Sequence, residues 1–125
     1  MRRPGIFVMT MSVALFAGGL VTTARAGAGD VIPVPTDKTS TYMTLELKHK
    51  PDGVVEVITE RSGDKAHSYT IRDCDCPVSK YRILGQGKTM DEARGRYPSD
   101  GVTELVEGSV SYDICMHACA SKPQQ

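Results

Sequence analysis

Residues 41–49 alternate strictly between polar and apolar side chains, and this pattern predicts the first strand of a β-sheet. In an extended chain the alternation puts Leu45 and Leu47 on one buried side and the residues between them on the other. A Pro-Asp-Gly sequence at 51–53 has the composition of a tight turn. An apolar-rich segment then returns, so residues 41–60 are predicted to form a β-hairpin.

Further short segments extend the predicted sheet. Residues 67–72 alternate like the first strand, and residues 78–84 follow beyond two cysteines. Residues 102–107 and 109–114 are predicted to form another pair that turns at Gly108. We therefore expect a mainly β (α+β) protein, with a small antiparallel meander or barrel-like sheet of about five to six strands and a short C-terminal helix stapled to it by disulfides.

The N-terminus has the three parts of a secretory signal peptide. Two arginines near the start precede an apolar run over residues 6–21, and Ala24 and Ala26 occupy the positions that signal peptidase reads. The run is shorter than the about 20 apolar residues that a membrane-spanning helix needs. We therefore expect residues 1–26 to be a signal peptide that is cleaved after Ala26, and the protein to be secreted or periplasmic.

Cleavage would leave one small domain with an extension at each end. Pro33 and Pro35 disfavour a helix or a central strand, so residues 27–40 are predicted to be an extended or disordered leader. Residues 41–122 form the predicted disulfide-stapled β-rich domain, and residues 123–125 form a tail.

Charge excludes two classes of partner. The chain has 15 basic and 15 acidic residues, and the predicted signal peptide removes three arginines and no acid, which leaves 12 against 15 and a formal net charge of −3. A mildly acidic domain without a basic cluster is not typical of proteins that bind nucleic acid or anionic membranes. We expect a protein or envelope partner, no nucleic acid, and no membrane span in the mature chain.

Four cysteines in a small exported chain predict disulfides. Cys74 and Cys76 are separated by one residue, too few for an unstrained bridge, so each should pair with Cys115 or Cys119. Cysteines two apart on a strand are separated by about 6.6 Å on one face. Cysteines four apart match that spacing, at about 6 Å, only on a helix. Two pairings fit equally well: Cys74–Cys115 with Cys76–Cys119, or Cys74–Cys119 with Cys76–Cys115.

The same geometry predicts that a short C-terminal helix lies across the third strand. Asp113 is the predicted N-cap of this helix, and Pro123 lies just past its end. The strand cysteines are in phase with Arg72 and out of phase with Tyr69 and Ile71. The helix is therefore expected to cover the more polar side of the strand.

The glycine-rich connection Gly85–Gly101 is predicted to be a surface loop with one helical turn. Thr89 and Glu92 have the spacing of a capping box at the start of that turn. A phosphate-binding loop would need glycine where Arg82 stands, so nucleotide binding is not predicted. Long connections are often functional. The predicted partner-binding residues are the cationic and aromatic side chains of this one: Lys88, Arg94, Arg96 and Tyr97.

Metal binding is the alternative interpretation of the cysteines, whose sulfurs are the donors that copper(I) and zinc prefer. On the predicted helix, however, His117 lies about 200° from Cys115 and would face away from the other ligands. A redox-active pair is disfavoured because Asp73 and Asp75 alternate with the cysteines, and negative neighbours do not lower a thiol pKa. The alternative metal ligands are Cys74, Cys76, Cys115 and Cys119.

Catalytic constellations are absent from the sequence. His49, His67 and His117 are scattered, and no nucleophile or metalloprotease motif occurs. No cofactor is predicted. We expect a binding, inhibitor-like or structural protein of the periplasm or envelope rather than an enzyme, with periplasmic copper or zinc handling as the alternative.

Overall fold

A computed structural model of the protein describes residues 28–64, 66–95 and 101–122. Within them, six strands form one antiparallel sheet in which each strand pairs with the next along the chain. Two helices pack on opposite sides of this sheet. The strands are β1 (Val31–Ile32), β2 (Ser40–His49), β3 (Val54–Gly63), β4 (His67–Asp75), β5 (Lys80–Gly87) and β6 (Thr103–Glu104), and the helices are α1 (Met90–Gly95) and α2 (Val110–Ala120).

This arrangement confirms the predicted antiparallel meander with a C-terminal helix stapled to it by disulfides. Below, the side of the sheet on which α2 packs is the α2 face, and the opposite side is the α1 face. In the part of the chain that the structure describes, no helix is long and apolar enough to cross a membrane.

β2 and β3 form the predicted hairpin, but a β-bulge at Leu45 divides β2 between the two faces. The pairing steps from Thr44 opposite Thr59 to Glu46 opposite Ile58, which leaves Leu45 as an extra residue. An extra residue reverses the side on which every later side chain of the strand lies.

The prediction that Leu45 and Leu47 share one buried side is therefore wrong. Leu45 packs against the core on the α1 face, whereas Leu47 packs against the core on the α2 face. Before the bulge, Tyr42 and Thr44 are the buried residues of β2, and Met43 is only half-buried.

α2 begins earlier than predicted. Its N-cap is Ser109, whose Oγ accepts a hydrogen bond from the backbone N–H of Tyr112 at 3.2 Å. The predicted N-cap at Asp113 and the predicted strand at 109–114 are therefore both wrong. The buried residues of this segment recur with helical spacing, which a short window of alternation concealed: they are Ser111, Ile114, Cys115 and Ala118.

The sheet ends in a very short strand on each side. β1 lies in the segment predicted to be a leader, where Ile32 and Val34 are buried in the core of the α2 face. The sheet therefore begins ahead of the alternating pattern at 41–49. At the other edge, the predicted strand at 102–107 is reduced to the two residues of β6, which pair with Lys80 and Tyr81 of β5.

The α1 face is closed by a helix in the connection that was predicted to be a surface loop. β5 extends to Gly87, and α1 then packs its fully buried Ala93 against Ile58 and Ile71. A Cβ on Gly87 would clash with the Cβ of Glu92, so the absence of a side chain there lets the helix approach the strand.

The helical turn is confirmed, and so is the half of the predicted capping box that Thr89 supplies. Thr89 Oγ1 accepts a hydrogen bond from the backbone N–H of Glu92 at 3.1 Å. Glu92 Oε1 in turn accepts one from the backbone N–H of Lys88 at 2.7 Å. Thr89 thus satisfies a backbone donor of the first turn that has no partner within the helix, and Glu92 ties the residue before the N-cap to α1.

Candidate ligand cavity beside the disulfide staple

The two disulfides are Cys74–Cys115 and Cys76–Cys119, with Cα–Cα distances of 5.6 and 5.8 Å. Sequence geometry left two pairings open. In the structure, the first cysteine of the strand segment bonds the first cysteine of α2, and the second bonds the second. Each bridge joins the end of β4, or the turn that follows it, to α2. The sulfur of Cys74 and that of Cys115 are in the fully buried core, so this bridge fixes the middle of the helix on the sheet.

Disulfide bonding removes the thiolates that a metal site would use. His117, the other donor near the cysteines in sequence, places Nε2 3.5 Å from Oδ2 of Asp30 instead. Across residues 28–64, 66–95 and 101–122, no group of three or more His, Cys, Asp or Glu side chains could hold a metal ion. The metal interpretation would therefore require the protein in its reduced form.

The predicted partner-binding residues fall in and around α1. Lys88 is exposed just before the helix, and Arg94, near its end, donates a hydrogen bond from Nη2 to Oε2 of Glu46 at 3.1 Å. Arg96 and Tyr97 lie outside the described residues. This surface borders the α1 face and stays a prediction.

A different feature stands out on the α2 face, where the helix covers only one end of the sheet. Beyond the N-terminus of α2 lies a cavity of about 310 Å³. Its lining is mainly polar and comes from four strands of the sheet, β2 to β5. The hydroxyl and guanidinium side chains that line it are Tyr42, Thr59, Arg61, Ser68, Thr70 and Arg72.

Strand register explains why these polar groups meet. Thr59 pairs with Thr70, and Arg61 pairs with Ser68, so all four side chains share one side of neighbouring strands. Gln86 of β5 pairs with Thr70 and extends the lining to the exposed surface. The cavity is therefore a polar strip of the α2 face that the helix leaves uncovered.

Arg72 lies at the junction between the cavity and the staple. It is two residues before Cys74, so the bridge from Cys74 brings α2 directly over its side chain. Arg72 Nε donates a hydrogen bond to Oγ of Ser111 at 3.0 Å, and Nη1 donates one to Oγ1 of Thr59 at 3.3 Å. These contacts hold the guanidinium between the helix and β3.

The charge of Arg72 is buried without a carboxylate partner. The residue is only 8% exposed, and among the described residues no Asp or Glu forms an ion pair with it. Burial lowers the pKa of Arg72 to about 10, so the group remains protonated at neutral pH. Because hydroxyl groups satisfy N–H donors but do not neutralise a charge, Arg72 is a cation held in a poorly solvated place.

The second arginine of the cavity is paired. Oδ2 of Asp37 accepts hydrogen bonds from the hydroxyl of Tyr42 at 2.7 Å and from Nε of Arg61 at 3.2 Å. These hydrogen bonds, that from Tyr42 first, hold the pKa of Asp37 well below its usual range. Burial, with the neighbouring carboxylate, raises the pKa of Tyr42, so the phenol stays protonated. The cluster also ties the segment after β1 to the sheet.

The side chains of the lining are suited to binding a polar ligand. No histidine, cysteine or carboxylate is among the described residues that line the cavity. Guanidinium and hydroxyl groups can hold and orient a polar ligand.

Sequence reasoning missed this cavity although one signal for it was present. Arg72 was correctly placed on the side of the strand that the helix covers, and a charged residue on a covered side needs an explanation. The partners that complete the cavity come from β2, β3, β5 and α2, and no local pattern connects them. Comparison with protein-family models, curated proteins and solved structures gives no match for this chain.

Proposed function

We propose that the protein is exported and acts in the periplasm or outside the cell as a small binding domain. Two disulfides are consistent with an oxidising compartment, and the N-terminal sequence pattern supports export by a signal peptide cleaved after Ala26. N-terminal sequencing of protein recovered from the envelope should find Gly27 first. Recovery of exported protein that still starts at Met1 would contradict this part of the proposal.

The observation that supports a binding role is the cavity containing Arg72. Its volume lies at the lower end of the range that is usual for small-molecule sites, and its polar groups converge from several strands. A buried charge without a counter-ion is costly unless something in the working state of the protein compensates it. The scaffold around the cavity is rigid, because the disulfides fix α2 and the Asp37 cluster fixes the opposite rim. We therefore favour binding over a purely structural role.

An NMR screen of small polar fragments against the purified, oxidised protein tests this role. We expect saturable shifts that cluster on the backbone amides of Thr59, Thr70 and Gln86. Saturable shifts that cluster elsewhere, or none at millimolar concentration, would contradict the cavity as the binding site.

Periplasmic copper or zinc handling is the alternative function, and a thiol count distinguishes it. It requires thiolates at Cys74, Cys76, Cys115 and Cys119, whereas the structure has all four in disulfides. Protein isolated with thiols blocked at lysis should show no free thiol. Four free thiols together with bound copper or zinc would favour the alternative.

A further inference from the structure

Within the proposed binding function, the charges around the cavity identify the class of ligand. The two charged side chains that line it are Arg61 and Arg72, and both are cationic. Asp37 pairs with Arg61 from outside the lining, so one positive charge, that of Arg72, remains without an anionic partner among the described residues. We propose that the cavity binds the anionic end of a small ligand, a carboxylate or a phosphate group, with Arg72 as the charged contact.

The position of α2 adds to the preference for an anion. Val110, the first residue of this 11-residue helix, lines the cavity, and the next residue, Ser111, holds Nε of Arg72. The N-terminus of a helix carries a partial positive charge and favours anionic groups. The helix N-terminus and the guanidinium therefore both attract an anionic ligand to the same place. The disulfide from Cys74 holds the helix beside the guanidinium.

The lining also limits the size and character of the ligand. A volume of about 310 Å³ lies at the lower end of the range for small-molecule sites, so the cavity suits a small ligand. The hydroxyl groups of Thr59, Ser68 and Thr70 can donate hydrogen bonds to ligand oxygens. A small mono-anion matches both the volume and the single unpaired positive charge.

Benzoate and benzamide test this inference on the unmodified protein. The two probes have the same shape and size, and only benzoate carries a charge. In NMR titrations at constant ionic strength, we expect benzoate to shift the amides of Thr59, Thr70 and Gln86 with a dissociation constant at least tenfold lower than that of benzamide. Inorganic phosphate, titrated in the same way, shows which anionic group the cavity prefers.

The preference for a charged ligand should depend on one arginine. Arg72→Gln removes the unpaired charge but keeps hydrogen-bonding groups, and should weaken benzoate binding at least tenfold. Arg82→Gln is the matched control, because Arg82 pairs with Asp73 in the register and so lies on the other face of the sheet. It makes the same change in net charge and should alter binding less than twofold.

The outcomes separate this inference from the broader proposal. Equal affinity for benzoate and benzamide, or equal weakening by the two arginine variants, would overturn the anionic ligand while leaving the cavity as a binding site for neutral ligands. Absence of any shift at the cavity with all three probes and with the fragment screen would overturn both. If Arg72→Gln does not fold, the benzoate–benzamide comparison on the unmodified protein still shows whether the cavity prefers an anion.

Discussion

The two helices show two ways of covering a β-sheet. α1 has six residues, no covalent link to the sheet, and an apolar contact in which Ala93 is buried against Ile58 and Ile71. α2 has 11 residues and two disulfides, yet the face beneath it includes buried polar residues. Those polar residues are Thr44, Thr59, Thr70 and Arg72.

The difference shows what the disulfides make feasible. An apolar face attracts its helix by burial alone, and the contact leaves no room for polar groups. The α2 face combines an apolar core, which includes Val55, Val57 and Ile114, with an arginine and several hydroxyls that must be compensated when they are buried. Apolar burial and covalent attachment together hold α2 on this mixed face, and the polar part that the helix leaves uncovered becomes the cavity.

The largest expected effect is the loss of both disulfides, which should release α2 and spare α1. Each bridge closes a loop of about 40 residues, with sequence separations of 41 and 43, so the first should contribute about 4 kcal/mol to the free energy of unfolding. Reduction should therefore lower the melting temperature by roughly 15–30 °C. Amide exchange should rise more in α2 than in α1, and equal exchange in both helices would contradict the comparison.

Single cysteine variants refine this prediction. Cys74→Ala alone leaves the thiol of Cys115 unpaired in the core, whereas the double variant with Cys115→Ala removes both sulfurs. We expect the single variant to have the lower melting temperature. Equal melting temperatures would show that the unpaired thiol is harmless.

The next largest effect on stability is expected where α1 approaches β5. Gly87→Ala should push α1 away from β5, because the added methyl group would clash with Glu92, and such overpacking costs about 1–3 kcal/mol. Gly95→Ala is the control, since a methyl group there meets nothing within 4 Å. Denaturant unfolding should show a lower free energy of unfolding for Gly87→Ala and no decrease for Gly95→Ala. A loss of similar size in both would mean that close approach is not what holds α1.

A smaller effect is expected at the start of α2. Ser109→Ala removes the side chain that accepts from the N–H of Tyr112, and loss of an N-cap costs about 1 kcal/mol. Ser109→Asp should restore most of the loss, because aspartate is also a good N-cap. Because the disulfides hold the helix in place, amide exchange should increase only in its first turn. Exchange that increases throughout α2 would contradict this.

Acid should weaken the ion pair at the rim of the cavity. The pKa of Asp37 is lower in the folded protein than its unfolded value of about 4, so its contribution is complete above that pH and is lost as the pH falls toward the folded pKa. The difference in unfolding free energy between the unmodified protein and Asp37→Asn should therefore shrink between about pH 5 and pH 2. A difference that does not depend on pH would show that this pair contributes nothing through charge.

The smallest effects are expected on the surface near α1. Arg94→Ala removes an exposed pair with Glu46 and should change the free energy of unfolding by less than about 0.5 kcal/mol. The double variant Arg96→Ala and Tyr97→Ala should move the melting temperature by only about 1–2 °C. If these residues and Lys88 bind a protein partner, the same variants should abolish capture of that partner. Capture by a variant lacking residues 88–99 would reject this surface.

Local patterns predicted the parts of the fold that depend on local geometry. The hairpin over 41–60, the helix cap at Thr89 and the helical spacing of Cys115 and Cys119 each follow from turn chemistry or periodicity, and the structure contains them. The bulge at Leu45 was not predictable in this way. A bulge is specified by how both faces of a strand pack, and the alternating pattern of β2 contains no sign of it.

Two failures have the same physical origin. Ser109 is a good N-cap, but residues 109–114 also alternate, and a short window does not distinguish a strand from the first turns of a helix. The helix is favoured by tertiary contacts: Cys115 bonds Cys74, and Ile114 is buried in the same core. The cavity escaped prediction for a similar reason, because its groups are far apart in sequence and meet only through register.

The edges of the sheet influence whether copies of the chain aggregate at high concentration. Exposed strand edges are templates for intermolecular pairing and aggregation, and short edge strands, bulges and charged side chains oppose it. β1 and β6 are two residues long, so each offers little backbone to a neighbouring molecule. β2, which β1 covers only in part, has its bulge at Leu45 and the exposed charges of Glu46 and Lys48 along the remainder. These features oppose edge-to-edge pairing between the sheets of two copies, including copies whose disulfides have not yet formed.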